Sequence, residues 1–307
     1  DNMSNKNMSN KNMSNKNRSN KKNIYISVSQ LYIVLGLDKF GNLCPLLTKL
    51  WEKVAPKDYF RIIYDIQDIY SLDHLYENTY QSIERISRKT KIDIIPDVEK
   101  CLRKKNTKDL VSYRNQMIEK INADPRLDTS TKQELINHIK NLTNTNFGTS
   151  QENSAVNLYC QKRNVEVFDC QKFIKKKVAQ TNTHDWYLCG KIDGISTEGV
   201  LIEIKNRIHK LFGILRDYEK PQIQTYLKMT NLKRGHLVEC LKNKKSNMNI
   251  IEVERDNIYW KQFILPRVEK FINFFYKILK KRKIKIMILL REEEKIGRLF
   301  KNFISNT

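Results

Sequence analysis

A chain of 307 residues has room for one large domain or two small ones. Its 40% hydrophobic and 30% charged residues permit a sizeable core and exclude wholesale disorder, while 9 glycines and 6 prolines exclude collagen-like and Pro/Gly low-complexity chains. With 57 basic against 34 acidic residues the formal charge is +23, so a polyanion is the expected ligand, nucleic acid first, with a solvated basic surface as the bland alternative. No apolar run reaches the ~18 residues of a membrane span. The N-terminus is polar, without a secretory pattern, and no lipidation motif is present. The expectation is an intracellular, non-secreted protein with no membrane partner. The cysteines, Cys44, Cys101, Cys160, Cys170, Cys189 and Cys240, are scattered without a C-x-x-C pair. That pattern fits free thiols and speaks against zinc ribbons and iron–sulfur clusters.

Residues 1–23 repeat MSNKN from Met3, Met8 and Met13 and then read RSNKK. With almost no apolar surface, this tail is expected to be disordered. An N-terminal helical region follows over 24–145. Ser29–Leu37 predicts a short helix with Ser29 as N-cap and Gly36 near its end. Residues from about 45 to 146 read as mostly helical. Thr131 and Glu134 form a T-x-x-E capping box ahead of Leu135, Ile136, Ile139 and Leu142. From about 146 to 280 the texture changes. A helix is predicted over Ser150–Lys162, then strands at Val165–Phe168, Trp186–Ile195 and Val200–Lys205, the last two joined as a hairpin by the Ser196–Gly199 turn. A helix after Pro221, strands at His236–Leu241 and Ile250–Val253, and a long amphipathic helix from Asn257 to about Lys281 complete the pattern. Residues 281–307 read as a basic helical extension. The fold class is α/β or α+β, not a bundle.

The residues that can carry chemistry gather around Gly190–Gly194 and Leu201–Lys205. Glu203 and Lys205 are two apart on a strand and share a face, with Val200, Ile202 and Ile204 on the other. Pairing the hairpin brings Asp193 beside Glu203. Two carboxylates and a backbone carbonyl, here that of Ile204, suit Mg²⁺, with Mn²⁺ as substitute. An ammonium at Lys205 can orient a water and offset charge developing on a phosphate. An acidic-x-basic tripeptide alone is common by chance in so charged a chain, and an exposed ion pair on a surface strand would look the same. The apolar flanks of Glu203 argue for a buried central strand, where charges need a partner or a metal.

Asp193, Glu203 and Lys205 resemble the D-(x)n-E-x-K signature of the PD-(D/E)xK nucleases, a restriction-endonuclease-like fold with a central mixed sheet flanked by helices. Three further segments resemble its lambda-exonuclease-like branch, which includes the phage and viral YqaJ-type recombination exonucleases. Gly148 to Tyr159, with Glu152 and Ala155, is similar to the branch's G-x-x-x-E-x-x-A-x-x-x-Y helix. Gln222-Ile-Gln224-Thr-Tyr226 is similar to its Q-(V/I)-Q-x-Y helix, and Ser29–Gly36 to its N-terminal S-x-(I/L/V)-x-x-(I/L)-L-G segment. The resemblance implies metal ligands at Asp193, Glu203 and the Ile204 carbonyl, an added acid at Glu152, water activation by Lys205, support of that lysine by Gln222, and a DNA phosphate near Ser29. It implies a nuclease core over 146–280 and a helical N-terminal insertion, either a subdomain or a wall of a DNA channel. Lys191-Ile192 stands before Asp193, where relatives often have Ser-Pro. The implied partner is DNA, with a helicase or recombination protein as a further one, and a homo-oligomer is compatible. For a viral member the location would be host cytoplasm or a viral factory.

His209 and Lys210 follow Lys205 closely and are candidates for DNA contact, a solvated loop being the alternative. Lys277 to Lys285 could meet duplex phosphates or simply end a helix. His74, His138 and His184 are expected to be packing or loop histidines, and Phe271, Phe274, Phe275 and Tyr276 core. The leading function is a Mg²⁺-dependent deoxyribonuclease, an exonuclease on double-stranded ends. The alternatives are an endonuclease and a catalytically silent nucleic-acid-binding protein on the same fold.

Overall fold

The computed structural model describes residues 21–38, 41–72, 75, 77–104, 107–149, 152–208, 210–241 and 248–305. The repeat tail up to residue 20, His74 and His209 lie outside them. The first described element is a strand where the sequence reading had none. β1 (Lys22–Ser27) alternates outward and buried residues and pairs in parallel with β4 (His184–Lys191), Ile24 opposite Trp186 and Ile26 opposite Leu188. β3 (Phe173–Gln180), also not predicted, pairs antiparallel with the other edge of β4.

A second sheet holds β2 (Val167–Phe168), β5 (Gly194–Ser196), β6 (Val200–Arg207), β7 (Arg234–Leu241) and β8 (Met248–Glu254), in that spatial order. Among the described residues of this sheet, β6 and β7 run parallel and the other neighbouring pairs antiparallel. The expected hairpin is present, Gly194 facing Ile202 and Ile195 facing Leu201. The single long strand expected over Trp186–Ile195 is instead two, β4 and β5, broken at Ile192–Asp193. The arrangement is mixed α/β, the fold class the sequence leads one to expect.

The 3₁₀ turn Val28–Gln30 leads into the one-turn helix α1 (Leu31–Val34). Ser29 is therefore not an N-cap. It lies within the 3₁₀ turn, exposed, its Oγ 2.7 Å from Ser27 Oγ. Helices α2 (Leu43–Val54), α3 (Pro56–Ile66), α4 (Thr79–Thr90), α5 (Ile95–Leu102), α6 (Thr107–Ala123), α7 (Thr129–Thr149) and α8 (Glu152–Arg163) follow. The Thr131–Glu134 capping box is not formed. Asp128 caps α7 instead, accepting from Thr131 N at 2.8 Å, and Glu134 pairs with Arg85. A reciprocal box does occur at Asn78 and Gln81. After β6 come α9 (Lys220–Thr230) and, beyond the sheet, α10 (Asn257–Tyr259). A π-helical turn at Trp260–Ile264 joins α10 to α11 (Leu265–Leu279). The chain closes with α12 (Arg282–Leu289) and α13 (Glu293–Ser305).

Among the described residues, buried apolar side chains form three clusters. The largest joins β1, α1–α3, the inner face of β4, α9 and α11–α13. Helices α4–α7 build a separate one around Ile83, Val98, Leu110, Met117, Leu135 and Ile139. The smallest packs Ala155 and Tyr159 of α8 against Val200, Ile202 and Ile204 of β6. Phe271, Phe274 and Phe275 are buried, as expected.

Polar ties hold the C-terminal helices to the N-terminal ones. The Glu293 carboxylate accepts from Cys44 N at 3.1 Å, capping α2 from a distance where Asn42 supplies no side-chain bond. Lys285 is not a phosphate-facing cation. It is 5% exposed, with Nζ 2.9 and 2.8 Å from the two oxygens of Asp58, which also accepts from Arg61 and from Trp51 Nε1. Burial alone would raise the Asp58 carboxyl, but the Lys285 and Arg61 hydrogen bonds outweigh it and hold the carboxyl below its usual value. Lys285→Ala should lower the unfolding free energy by about 2 kcal/mol at neutral pH, the worth of a buried charge-assisted bond. Urea denaturation reads it directly, and unchanged stability would mean the α3–α12 tie is not formed.

Candidate active site

β6 is the middle strand of its sheet and is covered on both faces. Its even-numbered residues meet α8, while Leu201 joins the main core. Glu203 is therefore carried into the interior, 4% exposed. The hairpin partner leaves β6 at Asp193, and the Asp193 side chain replaces the missing strand, its Oδ2 accepting from Ile204 N at 2.7 Å. In an extended strand the N–H and C=O of one residue leave by the same edge, so the Ile204 carbonyl also opens toward Asp193.

Lys205 Nζ donates to Glu203 Oε1 at 2.8 Å and to Gln222 Oε1 at 3.0 Å. Gln222 is placed by the start of α9, which begins with Pro221 in its first turn. Arg207 fixes that helix end, its guanidinium 2.8 Å from both Glu219 and Glu239. Glu152 stands in the first turn of α8, whose Tyr159 hydroxyl is 2.7 Å from His236 Nδ1 on β7. The structure thus brings Glu152, Asp193, Glu203, Lys205 and Gln222 together. It leaves Ser29 in its turn and Lys210 exposed, 5.8 Å from the Phe212 ring centre. His184 is buried under Tyr276 and Thr183, away from this cluster.

Two site residues escaped the sequence reading. Gln171 donates from Nε2 to Glu152 Oε2 and Asp193 Oδ1, both at 3.3 Å. Its backbone N–H donates to Ile192 O at 2.8 Å, and its φ is +57°, a left-handed conformation uncommon for a residue with a Cβ. A glutamine in a polar turn gives no periodic signal, so nothing in the sequence marks it. Tyr226, noted only as part of the α9 pattern, hydrogen-bonds Gln222 and lies against Gly190, where a Cβ would collide with its hydroxyl. Gly190 and the Q-x-x-x-Y spacing together are the signal that could have found it.

The electrostatics of the cluster are those of crowded, desolvated acids. Burial raises Glu203, and Asp193 and Glu152 add to it against the opposing Lys205, leaving the carboxyl at about 7. Burial also raises Asp193, and burial followed by Asp193 raises Glu152. Burial would lower Lys205, but its acidic neighbours outweigh it, so it stays charged. Among the described residues, none gives the buried Glu203 Oε2 a hydrogen bond. Such an oxygen, beside a second carboxylate and an open carbonyl, fits a hard divalent cation. Among the described residues, no three His, Cys, Asp or Glu side chains converge on one point.

No family model matches the sequence, and neither does any curated protein. Among solved structures, an alkaline exonuclease from Laribacter hongkongensis is similar at 16% identity and a TM-score of 0.36, over 59% of this chain and 87% of that one. The same exonuclease in complex with dAMP gives 17%, 0.34, 63% and 92%.

Two outcomes check this geometry. Below pH 4.5, the ordinary value for a glutamate, Glu203 is protonated folded or unfolded and costs nothing. Above that pH the unfolded chain ionises while the folded one resists until about 7, so metal-free stability is withdrawn as pH rises through this window. Glu203→Gln should gain on the unmutated protein by a few kcal/mol, to order of magnitude, between pH 4.5 and 7.5. Parallel unfolding profiles in EDTA would contradict the buried acid. Gly190→Ala should cost about 1–3 kcal/mol, because buried Tyr226 has nowhere to retreat. Tyr226→Phe added to it should restore part of that loss.

Proposed function

We propose that this chain is a divalent-cation-dependent deoxyribonuclease of the lambda-exonuclease-like, YqaJ-type branch of the PD-(D/E)xK nucleases, hydrolysing phosphodiester bonds from the ends of double-stranded DNA. The observation that carries the reading is the Lys205 ammonium, held between Glu203 and Gln222 beside Asp193. These residues come from β6, α9 and the β4–β5 break, and a chance acidic-x-basic pair on a surface strand would not gather them.

Asp193, Glu203 and the Ile204 carbonyl would hold Mg²⁺, or Mn²⁺ in its place. When bound, the cation supplies Lewis acidity and neutralises charge on the scissile phosphate. The chain's own groups do the rest. Lys205, fixed at two points, presents its remaining N–H to an attacking water and to the charge that grows on phosphorus oxygens. Gln222 keeps the ammonium from collapsing wholly onto Glu203. Glu152 and Gln171 form the far wall, where Gln171 holds Asp193 toward the strand edge. The basic surface supplies sequence-independent attraction to the phosphate backbone.

A catalytically silent binding protein would have no use for an unpaired buried carboxylate oxygen, which favours the enzyme. Asp193→Ala and Lys205→Ala should each lower Mg²⁺-dependent cleavage of end-labelled linear duplex by at least about 100-fold, by analogy with loss of one electrostatic stabiliser. Affinity for DNA should stay within about threefold for Lys205→Ala and fall steeply with salt. Full cleavage by either variant would overturn the assignment, and equal cleavage of circular and linear DNA would replace exonuclease by endonuclease.

A further inference from the structure

The three-stranded sheet β1–β4–β3 has one covered face and one open one. Ile24, Ile26, Trp186 and Leu188 pack inward on the main core. Residues of opposite parity, Tyr25, Tyr187, Cys189, Lys175 and Phe173, turn outward. Tyr25 and Tyr187 are direct partners in the parallel ladder, with ring centres 5.4 Å apart. Lys175 Nζ lies over both rings, 5.7 and 5.5 Å from their centres. Phe173 is 55% exposed at the end nearer the candidate active site, opposite Lys191.

The charge on this face is one-sided. Lys49 and Lys53, exposed on α2, act on the Cys189 thiol together with Lys175. Asp185 is already engaged by Lys177 at 2.8 Å. Among the described residues, Lys49, Lys53, Lys175 and Lys191 have no carboxylate within ion-pair distance. Half-open aromatic rings interleaved with uncompensated ammonium groups are the chemistry of single-stranded nucleic acid, whose bases stack while its phosphates meet the lysines. A duplex would use the lysines alone, because its bases are already stacked on one another. Continuity adds direction. β4 runs from Tyr187 through Cys189 to Lys191, roughly 13 Å of strand that ends two residues before Asp193.

We propose that the outward face of β1–β4–β3 is a binding platform for single-stranded DNA leading to or from the candidate active site. Its link to a reaction rests on the nuclease reading, whereas the binding itself does not. Lys175 would exchange the tyrosine faces for a phosphate as bases take its place.

The test is fluorescence anisotropy in EDTA, where no cleavage occurs, with a labelled oligothymidylate and a duplex of equal length. The Tyr25→Ala/Tyr187→Ala protein should lose about tenfold or more of its single-strand affinity, the worth of a stacked base, with duplex affinity changed less than about twofold. Tyr25→Phe/Tyr187→Phe should bind like the unmutated protein, which separates lost stacking from lost hydroxyls. Lys175→Glu leaves the ladder's packing in place and should weaken single-strand binding about threefold or more at low salt. The proposal is overturned by equal losses on single strand and duplex, by unchanged single-strand affinity, or by poly-glutamate competing as well as an oligothymidylate of equal charge. A cleavage-dead unmutated protein that still shows the tyrosine effect would sink the nuclease reading and leave the platform standing.

Discussion

The Glu203 carboxylate lies inside the molecule with one oxygen on Lys205 and the other, among the described residues, without a hydrogen-bond partner. A charge so placed is expensive, and a single ion pair rarely repays the desolvation. The surrounding structure is organised around tolerating it. β6 must be central and covered on both faces to bury it. β7 must run parallel beside β6, which needs the crossover that contains α9 and thereby delivers Gln222. The Arg207–Glu219–Glu239 contacts pin the helix end that sets Gln222, and Tyr226 against Gly190 sets its depth.

Asp193 follows from the same constraint. A continuous hairpin would satisfy Ile204 N with backbone. The break at Ile192–Asp193 gives that hydrogen bond to a side chain and places a second carboxylate beside the first. Gln171 then bridges Asp193 and Glu152 from a left-handed turn. Local strain and crowded acids concentrate where the strands part, a pattern common at functional sites.

Much of the site was legible because its signals are local. Apolar residues flanking Glu203 mark a buried strand, Ser196–Gly199 marks its hairpin, and Pro221 marks the start of the helix carrying Gln222. What was not legible depends on distant chain. β1 is a strand only because its partner β4 lies far along the sequence, and without that partner Ser29 reads as a helix cap. β3 hides because Lys176 takes an inward position between Ile174 and Val178 while Phe173 takes an outward one, which breaks the alternation. Lys285 looks like one more cation of a basic helix end until Asp58 is seen against it. Thr131 looks like a cap until Asp128, three residues earlier, takes the N–H.

We propose that the Glu203 carboxyl, which burial pushes up to about 7, is the seat of a divalent cation together with Asp193. Calorimetric titration of Mn²⁺ into DNA-free protein at pH 6.5, repeated in buffers of different ionisation enthalpy, measures both binding and the protons it releases. One cation should bind per chain with a substantial fraction of a proton released, and both should be lost in Glu203→Gln. Binding without proton release, or binding that survives Glu203→Gln unchanged, would contradict it.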